Sequence, residues 1–179
     1  MSFKDHILSS FIALENEADT NSYIHNLRSE ALNDFEKMGI PQLKEEAYKY
    51  TSLKKFFNKD YNFFPKNETS ISYADIKKYL VHQIDAYRVI FIDGIYSSHL
   101  SQTTHDKFDV CLMSSALNNV KYTSVIEEYY NQLATKDGLT SLNTAFAKEG
   151  AYIHIGKNIA VEKPIEIVYF STGTEAELM

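Results

Sequence analysis

The residues between positions 99 and 111 include the side chains that most often bind metals. His99, His105, Asp106, Asp109 and Cys111 lie within thirteen positions of one another. Imidazole, carboxylate and thiolate groups are ligands for zinc and related ions, but compact sites place them at spacings that this group does not match. The surrounding sequence is polar, as in a solvated loop. We therefore predict no metal site here, and we interpret Cys111 as a small buried residue of a strand.

The segment from Gly150 to Asn158 contains glycines and a lysine in an order that suggests a phosphate-binding loop. Such a loop has four residues between its glycines and a Ser or Thr after its lysine. Here five residues separate Gly150 from Gly156, and Asn158 follows Lys157. The intervening residues are also typical of a strand. A turn between strands is the better interpretation.

Neighbouring carboxylates offer no acid/base pair. Glu45-Glu46 and Glu127-Glu128 lie in predicted helices, where adjacent side chains point about 100° apart. No nucleophile elbow, paired zinc-binding histidines or glycine-rich dinucleotide loop is present. We therefore predict no catalytic, cofactor-binding or metal-binding residue in this chain, and no enzymatic activity.

Composition excludes several classes of protein. With 44% hydrophobic and 23% charged residues, the 179-residue chain has the balance of a globular protein with a buried core. A net charge of -6 disfavours nucleic-acid binding. The apolar run at residues 89–92 is far too short to span a membrane, and residues 1–6 lack a signal-peptide pattern, so a cytoplasmic location is predicted. The single cysteine excludes an internal disulfide and a cluster held by four thiolates.

Hydrophobic periodicity predicts the elements of the first half. Two helices are expected within residues 4–38, ended by Gly39 and Pro41, and a third over residues 43–57. A capping box at Ser72 and Asp75 predicts a further short helix.

The pattern changes after residue 86. Strands are predicted at residues 89–92 and 108–113, followed by two helices around residues 125–133 and 139–146. Short alternating segments then predict strands at residues 152–155, 159–161 and 165–170, separated by polar turns. We expect a helical region at residues 1–86 and a second region at 87–179 that leads into the first rungs of a β-solenoid. Because no closing element follows, the chain is interpreted as truncated.

Several segments together resemble one family. The most specific is Lys44-Glu45-Glu46-Ala47-Tyr48-Lys49-Tyr50-Thr51, which follows the helix carrying Arg28, Ala31 and Phe35. The others are Val89-Ile90-Phe91-Ile92-Asp93-Gly94 with Ser97 and Leu100-Ser101 behind it, and Leu142-Asn143-Thr144-Ala145-Phe146-Ala147. In these segments the chain resembles the amino-terminal portion of SufD, in the SufB/SufD family of iron-sulfur cluster assembly proteins. The resemblance extends from about residue 28 to residue 170.

The resemblance implies an α+β fold in which an amino-terminal helical region leads into a right-handed parallel β-helix. It implies a scaffold subunit that acts with SufB and the ATPase SufC, on which a complete complex assembles an iron-sulfur cluster transiently. Residues of the family that take part in cluster assembly or SufC docking are expected beyond Met179, so none is assigned here, and no cofactor is expected in this segment. We expect Leu142, Ala145 and Phe146 to pack against the first solenoid rung.

Two other classes of function stay open at this point. The chain could be a stand-alone helical protein-interaction module without a role in cluster assembly. A small cytoplasmic enzyme would need a pocket lined by His99, His105 and Cys111.

Overall fold

The computed structural model of the chain describes residues 3–16, 23–53, 56–57, 62–63, 71–103, 107–147, 150–172 and 177–178. The helices and strands of these residues follow one another in this order: α1 (Phe3–Asn16), α2 (Tyr23–Met38), a 3₁₀ helix (Glu46–Tyr48), β1 (Asn62–Phe63), α3 (Tyr73–Ile76), a 3₁₀ helix (Lys77–Tyr79), β2 (Tyr87–Ile92), β3 (Ile95–Tyr96), β4 (Phe108–Leu112), α4 (Met113–Leu117), α5 (Thr123–Tyr129), α6 (Gly138–Ala145), β5 (Ala151–Ile155), β6 (Ile165–Phe170) and β7 (Glu177–Leu178).

The chain forms two compact units, and each unit consists of two separate segments of the chain. Unit 1 comprises Met1–Phe63 and Ser124–Lys148, and unit 2 comprises Phe64–Thr123 and Glu149–Met179. Unit 1 therefore contains α1, α2 and α6, whereas unit 2 contains most of the strands.

Unit 1 is built on amphipathic helices. In α1, Ile7, Phe11 and Leu14 are buried at the three- and four-residue spacing that places side chains on one helix face. In α2 the buried positions run from Ile24 through Ala31 to Phe35 and include Arg28, a charged residue within the apolar stripe. The two helices predicted within residues 4–38 are confirmed, as are helices in the regions now assigned to α5 and α6.

The third helix predicted over residues 43–57 is wrong. Within the described part of that segment only Glu46–Tyr48 is helical, as a single 3₁₀ turn. The amide of Gln42 donates to Glu45 Oε1 at 2.9 Å, and the amide of Thr51 donates to the Tyr48 carbonyl at 2.9 Å. These local bonds form successive turns, so the favourable helix propensity of the segment is overridden.

Unit 2 contains a three-stranded sheet in the order β3-β2-β6. Strand β2 pairs with β3 through a tight turn in which Asp93 and Gly94 have φ values of 52° and 78°. Left-handed φ at both central residues is what a two-residue hairpin turn requires. On its other side β2 runs parallel to β6, in register from Tyr87 opposite Ile165 to Ile92 opposite Phe170. The strand predicted at residues 89–92 and its turn are confirmed.

A second sheet of unit 2 pairs β4 with β5. The strands are antiparallel, with Asp109 opposite His154 and Cys111 opposite Tyr152. The strands predicted at residues 108–113 and 152–155 are confirmed. The predicted capping box also forms, since the Asp75 carboxylate accepts from the amide of Ser72 at 2.9 Å at the start of α3.

The right-handed parallel β-helix predicted for the second region is wrong, although the α+β class is consistent with the structure. A β-helix stacks parallel strands of successive rungs. In the residues that the structure describes, the sheets have two or three strands, and β3 and β5 each pair in the antiparallel direction with an earlier strand. Alternation of apolar residues identifies one face of a strand but does not specify the direction of its neighbour.

The strand predicted at residues 159–161 is also wrong. Asn158 has a φ of 63°, and the amide of Ile159 bonds back to the Gly156 carbonyl at 3.2 Å, so the segment continues the turn. Strand β6 confirms the prediction for residues 165–170. No helix among the described residues combines the length and the apolar character needed to cross a bilayer.

Candidate functional site

The amino-terminal end of α6 joins two of the distinctive sequence segments in unit 1. Asp137 caps the helix, because its Oδ1 accepts from the amide of Thr140 at 2.8 Å. Its Oδ2 accepts from the hydroxyl of Tyr48, in the Lys44–Thr51 segment, at 2.5 Å. The Thr140 amide, and then the Tyr48 hydroxyl, hold the pKa of the Asp137 carboxyl below its usual range. The same bond raises the pKa of Tyr48. The segment is thus anchored on α6 by a hydrogen bond to a carboxylate.

A close backbone approach lies beside this anchor. A Cβ atom placed on Gly138 would lie 1.8 Å from the Gly39 carbonyl oxygen and 3.2 Å from Cδ of Pro41. Gly39 itself has a φ of 69°, as is usual for the residue that ends a helix, here α2. The end of α2 and the start of α6 therefore meet where only glycine fits at position 138.

The carboxyl-terminal end of α6 is tied to α2 by Arg28. This side chain is 5% exposed, and its Nη1 donates to the carbonyl of Ala147 at 3.2 Å. Its Nε lies 2.9 Å from Oε1 of Glu15 on α1, a contact between charges that lacks hydrogen-bond alignment. His25 Nδ1 contacts the other oxygen of Glu15. Burial raises the pKa of Tyr130, while the nearby Arg28 charge acts in the opposite direction.

The Leu142–Ala147 segment packs on the helices of unit 1. Ala145 is fully buried in a cluster with Phe11 and Ala31, and Phe146 meets Phe11 edge to face at 6.2 Å between ring centroids. The expectation that this segment packs against a solenoid rung is wrong. Its small residues instead allow α6 to approach α1 and α2.

Part of the Lys44–Thr51 segment faces solvent. The side chain of Tyr50 is 91% exposed and that of Leu43 is 53% exposed. Lys49 Nζ lies 5.5 Å from the centroid of the Tyr50 ring. In this segment Tyr48 has a structural role through its bond to Asp137, whereas the Tyr50 side chain lies mostly in solvent.

Two serines that follow the β2–β3 hairpin form hydrogen bonds with the backbone of β2. The amide of Ser97 donates to the Ile90 carbonyl at 2.8 Å, and the amide of Ile90 donates to Oγ of Ser101 at 3.0 Å. The Ser101 hydroxyl in turn donates to the Ser97 carbonyl at 2.7 Å. Ser97 and Ser101 therefore satisfy polar groups of a buried strand.

The metal-binding residue types identified in the sequence are only partly brought together. Asp109 and Cys111 lie on one face of β4, opposite His154 and Tyr152 of β5. Asp109 accepts from Lys121 Nζ at 2.8 Å, and this bond lowers the pKa of the Asp109 carboxyl and raises that of Lys121.

His99 belongs to neither β4 nor β5. Its Nδ1 shares a hydrogen bond of 3.1 Å with the Ser97 hydroxyl. His105 and Asp106 lie outside the described residues. Among the residues that are described, no three His, Cys, Asp or Glu side chains are grouped as a metal site would require. Sequence spacing missed His154 and Tyr152, whose position opposite β4 depends on strand pairing.

The Asp137 cap predicts a pH-dependent contribution to stability. Replacing Asp137 by alanine should lower the free energy of unfolding by about 1 kcal/mol at pH 7, the usual cost of a lost cap. Because the folded pKa is lowered, this contribution is fully present above the unfolded pKa of about 3.9 and is lost as the pH falls through the folded pKa. Urea denaturation of both proteins at pH 7 and in acid measures the difference.

The difference in the free energy of unfolding between wild type and Asp137→Ala should become smaller in acid. Glu46→Gln changes an exposed carboxylate of the Lys44–Thr51 segment, and this control should have little effect at either pH. A gap of equal size at both pH values would contradict the role of the ionised carboxylate.

Comparison with known proteins supports the family resemblance that was identified in the sequence segments. A family model described as the SufBD protein N-terminal region matches residues 11–167. An iron-sulfur cluster assembly SufBD family protein of Synechocystis sp. is 22% identical over 167 residues, which are 89% of this chain and 35% of the relative. The iron-sulfur cluster assembly protein SufD of Bacillus subtilis is 25% identical over 173 residues, which are 88% of this chain and 37% of the relative.

A match over most of the chain defines the class of protein. The chain belongs to the SufBD family, and the matched part is the N-terminal region of that family. The likeness to SufD predicted from the sequence segments is confirmed. The chain spans about a third of the length of the curated relatives it matches.

Proposed function

We propose that this chain acts in iron-sulfur cluster assembly as the N-terminal region of a SufD-like scaffold subunit, together with SufB and the ATPase SufC. The observation that carries the proposal is the match of the SufBD N-terminal region to residues 11–167. Both relatives are named as iron-sulfur cluster assembly proteins, which supports the same process for this chain.

The arrangement of unit 1 supports a scaffold role. Three segments that carry the family resemblance meet around α6, where Tyr48 reaches Asp137, Arg28 reaches Ala147, and Ala145 packs against Ala31. In each case the contact is a hydrogen bond or an apolar contact that holds elements together. We propose that these contacts maintain a rigid helical unit and that the chain itself has no catalytic activity.

The cluster, as the cargo of the complex, is proposed to be held by other parts of the complete assembly. A cluster bound by thiolates needs several cysteines, and this chain has one. We expect that anaerobic reconstitution of the isolated chain with iron and sulfide leaves no stable cluster after desalting, as judged by iron content and visible absorption. A stable cluster on the chain would contradict this assignment.

A hybrid protein tests the proposed function. In a Bacillus subtilis strain depleted of its own SufD, the segment of SufD that aligns with this chain is replaced by residues 1–179. We expect the hybrid to purify together with SufB and SufC and to restore the activity of a host iron-sulfur enzyme. A hybrid that is folded and abundant but neither binds these proteins nor restores the enzyme would overturn the proposal.

A further inference from the structure

Residues 42–52 form an exposed strap between two buried residues of unit 1. Pro41 is buried before the strap, and Phe57, which is 8% exposed, follows it. In the strap itself every side chain is exposed except that of Tyr48, which is half-buried. Because burial of apolar surface is the main contribution that fixes a segment in a folded protein, the strap is held less firmly than the helices.

The backbone hydrogen bonds of the strap are local. The amides of Glu45 and Tyr48 donate to the carbonyls of Gln42 and Glu45, each at 2.9 Å, and the amide of Thr51 donates to the Tyr48 carbonyl at 2.9 Å. Across the residues that the structure describes, no backbone hydrogen bond joins the strap to another part of the chain. The backbone of the strap is therefore not tied to the helices.

The Tyr48 side chain connects the strap to α6. Its hydroxyl donates to Oδ2 of Asp137 at 2.5 Å, and within the described part of the chain this is the strap's one side-chain hydrogen bond to another element. A hydrogen bond to an ionised carboxylate is stronger than one between neutral groups. The acceptor is fixed independently of the strap, because the other oxygen of Asp137 caps α6.

We propose that the strap opens locally while α1, α2 and α6 stay folded, and that the bond between Tyr48 and Asp137 is the latch that keeps it closed. Opening breaks this bond and the short-range bonds of the strap but leaves the buried residues of the helices, such as Phe35 and Ala145, in place. It frees Oδ2 of Asp137 and the Tyr48 hydroxyl for other hydrogen-bond partners. The strap is thus a two-state element of unit 1 whose equilibrium is controlled by the latch.

Native-state hydrogen exchange, measured by NMR on the 179-residue chain at increasing urea, separates local opening from unfolding of the whole chain. Local opening exposes little new surface, so its free energy depends weakly on urea, whereas the free energy of global unfolding depends on urea strongly. In wild type the amides of Glu45 and Thr51 should be protected, but their exchange rates should hardly change at low urea. The amide of Phe35 in α2 should exchange more slowly and respond steeply to urea.

The variant Tyr48→Phe removes the latch and preserves the ring. A hydrogen bond to a charged group contributes enough to shift an equilibrium at least about tenfold, so the Glu45 and Thr51 amides should exchange at least about tenfold faster in this variant. Tyr50→Phe, which removes the hydroxyl of a 91% exposed ring in the same strap, is the matched control and should exchange as wild type does.

Trypsin gives an independent measure of the open strap. Cleavage requires a locally opened segment, and its rate follows the population of the open form when opening and closing are fast. Lys44 lies in the strap and is exposed. Cleavage after Lys44, identified by mass spectrometry, should be at least about tenfold faster in Tyr48→Phe than in wild type or in Tyr50→Phe.

Three results would overturn the proposal. Strap amides that follow the urea dependence of the Phe35 amide would show that the strap opens only when the whole chain unfolds. Glu45 and Thr51 amides that exchange in wild type at the rate of an unstructured peptide would show that no latch closes the strap. Equal exchange, or equal cleavage after Lys44, in Tyr48→Phe and wild type would show that Tyr48 does not control the opening.

Discussion

Replacing Arg28 by methionine should lower the free energy of unfolding by about 3 kcal/mol, as measured by urea denaturation followed by circular dichroism. The guanidinium is buried and lies against Glu15, whose side chain is 12% exposed. Removing the guanidinium leaves the Glu15 carboxylate with only its His25 contact, and removing one partner of a buried ion pair typically costs more than the pair itself contributes. The variant also loses the hydrogen bond to the Ala147 carbonyl at the end of α6.

Two further variants identify the cause of this loss. Lys37→Met removes a 76% exposed cation that lies 3.8 Å from Asp34, and it should change stability by no more than about 0.5 kcal/mol. The double variant Glu15→Leu with Arg28→Met should recover part of the loss, because the carboxylate that loses its guanidinium partner is then also removed. The ion-pair explanation fails if Arg28→Met is as stable as wild type, or if the double variant is less stable than the sum of the single changes predicts.

Replacing Gly138 by alanine should also destabilise the protein by about 3 kcal/mol, at the upper end of overpacking effects. The new methyl group would lie 1.8 Å from the Gly39 carbonyl oxygen, so the backbone at the end of α2 or the start of α6 must move. Moving α6 would in turn disturb the Asp137 cap and its bond to Tyr48.

A second glycine provides a matched control. A Cβ atom on Gly150 meets no heavy atom within 4 Å, and this residue does not have a left-handed φ. Gly150→Ala should therefore be neutral or slightly stabilising, because alanine reduces the conformational freedom of the unfolded chain. Equal stability of the Gly138 and Gly150 variants would show that the close approach to Gly39 can relax without cost.

The sequence was informative where local physical chemistry decides the structure. The apolar stripes of α1 and α2, the Gly39 stop and the capping box at Ser72 depend on residues a few positions apart, and all were predicted. The hairpin turn at Asp93 and Gly94 was predicted for the same reason. The family was predicted from short segments because the order and identity of their residues are specific.

The sequence was misleading where distant parts of the chain decide the structure. Residues 43–57 have helix-forming composition, but turns and the bond from Tyr48 to Asp137, 89 positions away, hold part of that segment in another conformation. The short strands at the end of the chain have the alternation of a solenoid. Their pairing is instead partly antiparallel, because alternation does not determine which strand becomes a neighbour.

The candidate site was least accessible to sequence reasoning. Arg28 lies in the apolar stripe of α2, where the sequence gives no sign of the Ala147 carbonyl that accepts its hydrogen bond or of the Glu15 carboxylate that forms its ion pair. The close approach of Gly138 to the Gly39 carbonyl likewise joins two positions that are far apart along the chain. Both features arise from contacts between residues that are distant in the sequence.

The most direct test of the account measures the activity of a host iron-sulfur enzyme in the Bacillus subtilis strain that carries the hybrid SufD. The account predicts that the hybrid with the wild-type segment and the hybrid with Gly150→Ala both restore this activity. Gly138→Ala should impair it together with the amount of folded hybrid. If well-folded hybrids with the wild-type segment leave the enzyme inactive, the proposed role in cluster assembly is contradicted.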